Sequence, residues 1–321
     1  MYFDWILLLL GLGLLVAGGE LLVRGASGIA LLARLTPAVV GLTIVAAGTS
    51  APELVVSIQS VLMGNPGISV GNIVGSNIFN IAAILGMTSL LLPLRIEGST
   101  VRLEWPVMML ASFQFVLLSR DAVIDRLEGG FLLTAMVAFI AYIVRIARKS
   151  ADAKEQESFE EVTTASFGRT GGTAVLLNVG AVVIGIALLA GGSSALVRGA
   201  VGVATILGLS ETVIGLTIVA AGTSAPELVT SLVAALRGKD DIAVANLVGS
   251  NIFNVLGIGG ATALIHPLVV PREIVQLDNW WMLGFSLLLF PLMKSGMRVV
   301  RTEGLVLFSL FVVYMFFLLS R

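Results

Sequence analysis

The sequence predicts an all-α integral membrane protein with ten transmembrane helices, arranged as two inverted five-helix repeats in which helices 2 and 7 are broken. Three observations predict it: sparse charge, long uninterrupted apolar runs, and one polar-centred segment that occurs twice. Of 321 residues, 57% are hydrophobic and 12% charged, whereas a soluble domain carries about a quarter charged residues. Too little polar surface remains to face water. The chain has no cysteine, so disulfides and thiolate metal sites are excluded. The single histidine, His266, adjoins Pro267 at an expected helix end and is read as an interfacial residue, since one histidine cannot build a metal cage. No basic stripe points to nucleic acid.

A helix needs about 20 apolar residues to cross the hydrocarbon core. Runs of that kind fall near 5–23, 38–63, 70–92, 103–119, 129–147, 172–196, 212–236, 242–265, 279–294 (the shortest) and 303–320. They are continuous rather than alternating apolar and polar, which favours helices over a barrel. The stretch from Phe3 to Val16 could imitate a signal-peptide core, but no small-residue cleavage site follows it. It is read as the first membrane helix. The most polar stretch contains KSADAKEQESFEEVTT, whose mixed charge and lack of apolar period suit a solvated connector. This divides the chain into an N-terminal repeat at 1–148, a cytoplasmic connector at 149–170 and a C-terminal repeat at 171–321.

The halves are copies. Residues 41–57 read GLTIVAAGTSAPELVVS and residues 215–231 read GLTIVAAGTSAPELVTS, identical except for Val56 against Thr230. The offset is 215 − 41 = 174, and it also aligns NIVGSNIFNI at 72–81 with NLVGSNIFNV at 246–255, and LVRGA at 22–26 with LVRGA at 196–200. The repeated motifs thus span 41–81 and 215–255. Five helices per half is an odd number, so the second half enters the membrane inverted, a recurring transporter plan with its site at the repeat interface near the midplane. A duplicated structural bundle is the bland alternative, but packing alone does not demand that the polar segments be the near-identical ones.

Basic residues orient the chain. With the N-terminus outside, the inner loops hold fourteen Lys and Arg, including Arg145, Arg148 and Lys149, and the outer side keeps five, including Arg120 and Arg272. The positive-inside rule then places both termini outside and the connector in the cytoplasm of a cell-membrane protein.

Glu53 is the thirteenth residue of the 24-residue segment Gly41–Gly64, and Glu227 holds the same place in Gly215–Gly238. Both carboxylates therefore fall near mid-membrane, where an unpaired ionised side chain costs at least ~2.5–3.5 kcal/mol. Neither segment has a central Lys or Arg. Pro52 lacks an amide hydrogen and disfavours helix in the residue before it, so the helix is expected to break after Gly48, Thr49 and Ser50 and to restart at Pro52. Carbonyls at Ala46, Ala47 and Gly48 are freed, and Thr49 and Ser50 add hydroxyls. Ala220, Thr223, Ser224 and Pro226 repeat the arrangement. Irregular backbone at this depth is tolerated where it is buried or lines a cavity. Ser50-Ala51-Pro52-Glu53 is also a capping box, a role that would leave two mid-membrane carboxylates uncompensated.

In the next helix, Asn72, Ser76 and Asn80 recur at i, i+4 and i+8, within about 80° of one another. Asn77 widens the polar arc, and Gly71 with Gly75 invites close helix approach. The second copy supplies Asn246, Ser250, Asn251 and Asn254, with Ala245 replacing Gly71. Such a stripe can be interhelical glue or a set of ligands. Every donor is oxygen, which suits hard cations such as Ca²⁺ and Na⁺ rather than Zn²⁺ or copper. Two carboxylates neutralise one Ca²⁺ or two Na⁺, an equality that suggests exchange. A channel would concentrate its acids in rings from symmetry-related subunits; here one chain supplies the pair, and a monomer suffices.

Doubled GTSAPE followed by GSNIFN resembles the α-repeats of the cation/calcium exchanger superfamily, and the likeness covers nearly the whole chain. The resemblance implies sodium/calcium antiport, with no enzymatic activity, no resident cofactor, and Ca²⁺ and Na⁺ as bound cargo. It implies that Glu53 and Glu227 are shared ligands, that Thr49 and Thr223 serve Ca²⁺, and that Ala46, Ser50, Ser76, Ala220, Ser224 and Ser250 line sodium positions. Asn80 and Asn254 would close the centre. Some prokaryotic relatives carry Asp where this chain has Asn254, which implies a less proton-sensitive centre here. Proton-coupled relatives usually show GNxxE in place of GTSAPE, which makes proton coupling the runner-up; potassium co-transport stays open. The first helix of each half would slide to alternate access, with Gly11, Gly13, Gly18 and Gly19, and Gly180, Gly185, Gly191 and Gly192, giving smooth surfaces. Ordinary tight packing explains those glycines as well.

Overall fold

A computed structural model describes residues 2–33, 35–149, 172–206 and 220–320. The connector beyond Lys149 and the opening GLTIV of the second motif lie outside the described residues. In chain order the helices are α1 (Tyr2–Ala33), α2 (Pro37–Thr49), α3 (Ala51–Leu62), α4 (Pro66–Leu91), α5 (Thr100–Asp121) and α6 (Arg126–Lys149). They continue with α7 (Gly172–Ile206), α8 (Ala220–Thr223), α9 (Ala225–Leu236), α10 (Asp240–Ile265), α11 (Asn279–Lys294) and α12 (Arg301–Leu319). Two-residue strands β1 (Leu94–Arg95), β2 (Val123–Ile124), β3 (Leu268–Val269) and β4 (Arg298–Val299) mark the loops.

Among the described residues, 7 helices are long and apolar enough to cross a membrane: α1, α4, α5, α6, α7, α10 and α12. α2 and α3 form a pair bent by 43°. α9 is shorter, and α11 has 16 residues preceded by a π-helical turn at Ile274–Asp278, in keeping with the short ninth run. Further π-turns occupy Phe79–Leu85 in α4 and Phe253–Gly259 in α10. Wider turns rotate the residues they contain away from a uniform 100° step, so the arc expected from Asn72 to Asn80 does not continue unchanged past Phe79.

The chain forms two compact units, and each draws on both sequence copies. One comprises Met1–Thr49 with Phe139–Asn246; the other comprises Ser50–Ala138 with Leu247–Arg321. In the first, α1 lies along α7. Gly11, Gly18 and Gly25 recur every seven residues on one face of α1, and a Cβ there would sit 2.6 Å from Leu196 N, 2.9 Å from Gly185 O and 2.7 Å from Asn178 O. Gly185, Gly192 and Gly199 repeat the spacing on α7, with Gly199 against Asp4 O at 2.6 Å. Partner numbers fall along α7 as they rise along α1, so the two helices run antiparallel. Absent side chains let the backbones touch. Of the other glycines expected to smooth these surfaces, Gly19 faces Val229 and Thr230 of α9, whereas Gly13, Gly180 and Gly191 have nothing within 4 Å among the described residues.

In the second unit the copies pair reciprocally. β1 is antiparallel to β4, and β2 to β3, so each two-stranded sheet takes one strand from each half. Arg126 Nη2 donates to Ile265 O and Arg301 Nη2 to Leu91 O, both at 3.4 Å. Each guanidinium thus caps the carbonyl end of a helix from the opposite copy, where the helix dipole favours positive charge. Gly86 against Gly304 and Gly129 against Gly260 bring α4 to α12 and α6 to α10 at backbone contact. His266 is exposed at the end of α10, its Nδ1 2.9 Å from Pro267 O.

Candidate functional site

Both proline motifs break a helix, as expected, with the restart one residue earlier than Pro52. Ser50 adopts φ −81°, ψ 7°, and Leu54 N donates to Ser50 O at 3.1 Å, so the new helix begins at Ala51 with Pro52 in its first turn. Proline is tolerated there because a first-turn N–H has no intrahelical acceptor. Ser224 repeats the geometry with φ −88°, ψ 7° and a bond from Leu228 N at 3.2 Å. Neither serine side chain caps its helix, which removes the serine half of the capping-box reading.

A broken turn leaves carbonyls without donors. Pro226 cannot supply the N–H that would reach Gly222 O, and Ser193 Oγ on α7 donates to that oxygen instead, at 2.6 Å. The counterpart of Ser193 on α1 is Gly19, which has no hydroxyl. Ala46 O, expected among the freed carbonyls, accepts from Thr49 Oγ1 at 3.3 Å.

The twelve expected ligand residues divide evenly between the units. The first holds Ala46, Thr49, Ala220, Thr223, Ser224 and Glu227; the second holds Ser50, Glu53, Ser76, Asn80, Ser250 and Asn254. Glu53 and Glu227 are each 1% exposed, and each belongs to a different unit. Ala46, Thr49, Thr223 and Ser224 are also buried, as are Ser50, Ser76, Asn80, Ser250 and Asn254.

Within the first unit, α9, which carries Glu227, packs on the 46–49 turn of α2. Thr49 Oγ1 reaches Asn246 Oδ1 at 3.2 Å, and Asn246 Nδ2 donates to Ser231 Oγ at 2.9 Å. One buried amide thereby ties the break of the first copy to the acid-bearing helix of the second. Gly41 abuts α10, its added Cβ falling 3.1 Å from Ala245 Cβ and 3.0 Å from Ile242 O.

Within the second unit, α3 packs on α4 and on the π-turn of α10 that carries Asn254. Asn72 Nδ2 donates to Glu53 O at 3.2 Å and to Ser57 Oγ at 3.0 Å, so the outermost amide of the stripe secures the backbone of the acid. Asn80 Nδ2 donates to Asn251 Oδ1 at 3.1 Å. Among the described residues, Asn80 Oδ1, Ser250 Oγ and both amide atoms of Asn254 are buried without a hydrogen-bond partner. An oxygen in that condition carries its full desolvation cost and is suited to a hard cation. Gly71 and Gly75 have nothing within 4 Å among the described residues, so the close helix approach expected of them is not seen there.

Two further buried acids escaped the sequence reading. Glu104 and Asp278 are separated by the same offset, 278 − 104 = 174, and occupy equivalent π-turns; Tyr314 Oη donates to Asp278 Oδ1 at 3.3 Å. Following the repeat register beyond the GSNIFN motif would have found them.

Apolar helices of spanning length in two sequence copies, carrying buried acids, amides and hydroxyls, define a transmembrane transport protein rather than an enzyme. More narrowly, the chain belongs to the sodium/calcium exchanger protein family, whose sequence profile matches residues 3–145 and 177–320. It is 37% identical to CaxA of Alkalimonas amylolytica over 98% of both chains. It is 30% identical to the sodium/calcium exchanger MaX1 of Methanosarcina acetivorans over 97% of both chains. Among solved structures it is similar to the sodium-calcium exchanger NCX_Mj soaked with zero Na⁺ and Ca²⁺, with TM-score 0.84 and 27% identity over 99% of each chain.

Proposed function

We propose that the chain is a sodium/calcium antiporter, exchanging Na⁺ for Ca²⁺ by alternating access at one mid-membrane site to which both copies contribute. The observation that carries this reading is the doubled break: in each copy a proline-interrupted helix presents a buried glutamate beside hydroxyls. Two fixed carboxylates are neutralised equally by one Ca²⁺ or two Na⁺, and an uncompensated pair is costly to move through the barrier. That favours carrying one cargo or the other. Glu53 and Glu227 are the shared ligands in this reading, with Thr49, Thr223 and Ala46, Ala220 beside them. Ser50, Ser224, Ser76 and Ser250 supply hydroxyls, and Asn80 and Asn254 the central amides.

The accompanying topology is ten spans in two inverted repeats, 1–148 and 171–321, joined by a cytoplasmic connector at 149–170. Support for inversion comes from antiparallel α1 and α7 and from the reciprocal strands and arginine caps. The charge count supports both termini outside. Residence in the cell membrane is supported by 34% identity to the inner membrane protein YrbG of Escherichia coli, over 81% of this chain and 79% of YrbG.

The test is radiocalcium uptake into Na⁺-loaded vesicles containing the purified protein, started by removing external Na⁺. Gradient-dependent uptake that is lost in Glu53→Gln and in Glu227→Gln is expected. Uptake driven by a pH gradient alone would replace sodium with proton coupling, and full exchange by either variant would overturn the site.

A further inference from the structure

We propose that Asn251 and Asn77, which the reading above does not count as ligands, are positioning residues that aim the amides of Asn80 and Asn254 at the cation. The inference rests on that reading of Asn80 and Asn254. Asn251 Nδ2 lies 3.6 Å from Met108 Sδ. A thioether accepts hydrogen bonds and donates none, so the NH₂ end of Asn251 must face the sulfur and its Oδ1 must face away. There it accepts from Asn80 Nδ2 at 3.1 Å. With its NH₂ committed, Asn80 turns Oδ1 in the opposite direction, where it is buried and without a hydrogen-bond partner among the described residues. A relay from sulfur to amide to amide thereby fixes which atom of Asn80 is left for a cation. Sulfur also suits this rear position because a thioether does not compete for a hard cation.

The second copy holds the same parts with one bond unmade. Asn77, Asn254 and Met282 are the counterparts of Asn251, Asn80 and Met108 by the 174-residue offset (251 − 77, 254 − 80, 282 − 108). Asn77 Nδ2 lies 3.6 Å from Met282 Sδ, which again forces Oδ1 away from the sulfur. That Oδ1 is buried and unpartnered among the described residues, and so are Nδ2 and Oδ1 of Asn254. The waiting acceptor is Asn77 Oδ1 and the waiting donor is Asn254 Nδ2. Closing that bond would commit the NH₂ of Asn254 and turn its Oδ1 outward, as Asn80 Oδ1 already is. The four amides are thus a two-armed clamp with one arm set.

Interhelical glue would use the same residues, so the test must separate orientation from packing. Radiocalcium affinity is measured by equilibrium binding to the purified full chain, for the parent, Asn251→Leu, Asn80→Ala and the double variant. Leucine keeps the branched shape of asparagine and removes both polar ends. Asn251→Leu is expected to weaken Ca²⁺ binding about tenfold, the scale seen for groups that orient metal ligands. In the Asn80→Ala background it is expected to add almost nothing, because no amide remains to be aimed. Asn77→Leu should behave in the same way toward Asn254→Ala. In transport the single variants should raise KM for Ca²⁺ with little change in maximal rate.

A packing role predicts that the two losses multiply, and that result would overturn the inference. If the parent binds Ca²⁺ but carries out no exchange, the antiport reading fails while the binding cycle still decides the positioning role. If the parent binds no Ca²⁺, the ligand assignment falls and the inference falls with it.

Discussion

Adding one methyl group to Gly18 tests how α1 and α7 are held. In Gly18→Ala the new Cβ would lie 2.9 Å from Gly185 O, 2.9 Å from Leu189 N and 3.0 Å from Leu188 Cβ. Ordinary contact begins at 3.4 Å, so the helices must part by about 0.5 Å (3.4 − 2.9). Two of the three obstructing atoms are backbone and have no rotamer to escape into. A gap of that size forfeits about a quarter of the dispersion energy of each pair it opens, and overpacking of this kind costs about 1–3 kcal/mol. Alanine also gains about 1 kcal/mol of helix propensity over glycine. Gly13→Ala on the same helix shares that gain, and Gly13 is exposed with nothing within 4 Å among the described residues. The propensity contributions cancel between the two variants, which leaves Gly18→Ala less stable than Gly13→Ala by about 1–3 kcal/mol. Thermal midpoints of the two purified variants in one detergent measure the difference, and exchange rates in vesicles accompany them. Equal midpoints would refute backbone contact at Gly18. A slowed rate at equal midpoint would instead assign the glycines to helix movement.

Three more outcomes concern residues outside the twelve expected ligands. Ser193→Ala leaves buried Gly222 O without its donor and should cost about 1–3 kcal/mol, whereas Ser27→Ala, which removes only a same-helix bond to Val23 O, should change stability little; denaturation midpoints compare them. Asn246→Ala should destabilise more than Asn72→Ala in the same assay, because Asn246 is fully buried with both amide ends engaged, while Asn72 is half-buried. Lys239, in the turn before α10, has its pKa lowered from the usual 10.5 by burial, with Asp241 opposing. The unfolded chain therefore binds more protons in the window below 10.5, so this lysine makes stability rise with pH there; Lys239→Gln should flatten that alkaline rise in the thermal midpoint.

The helix breaks were legible because their cause is local: proline lacks a donor and constrains its predecessor. The one-residue error at the restart arose because the first bond of the new helix depends on Ser50 O, a carbonyl acceptor that side-chain chemistry does not reveal. The polar stripe was legible from spacing as far as Phe79, where the π-turn changes the step. What stayed hidden were partners distant in sequence. Ser193 meets Gly222, Thr49 meets Asn246, and Asn251 meets Met108, and no local period links either member of a pair to the other. Glu104 and Asp278 were hidden differently: their relation is written in the repeat register, but only to a reading that carries the register past the identical segment.

The two kinds of difference between the copies carry different meanings. Where the copies differ in residue, the difference is permanent: Ser193 stands against Gly19, and Arg237, which donates from Nε to Glu20 Oε2 at 3.1 Å, has Met63 as its counterpart while Glu20 has Ser194. Where the residues are identical, a difference in bonding must be conformational. Asn80 bonds Asn251, yet Asn254 and Asn77, with the same residues in the same register, do not bond. An exchanger that alternates between two states by swapping the conformations of its halves must be able to swap the second kind and cannot swap the first. On the antiport reading proposed above, the permanent differences give the two states unequal free energies, while the proposed amide clamp is free to change arms. A ligand can shift such an equilibrium only by the difference in its affinity for the two states. An amide that is aimed in one state and unaimed in the other supplies such a difference.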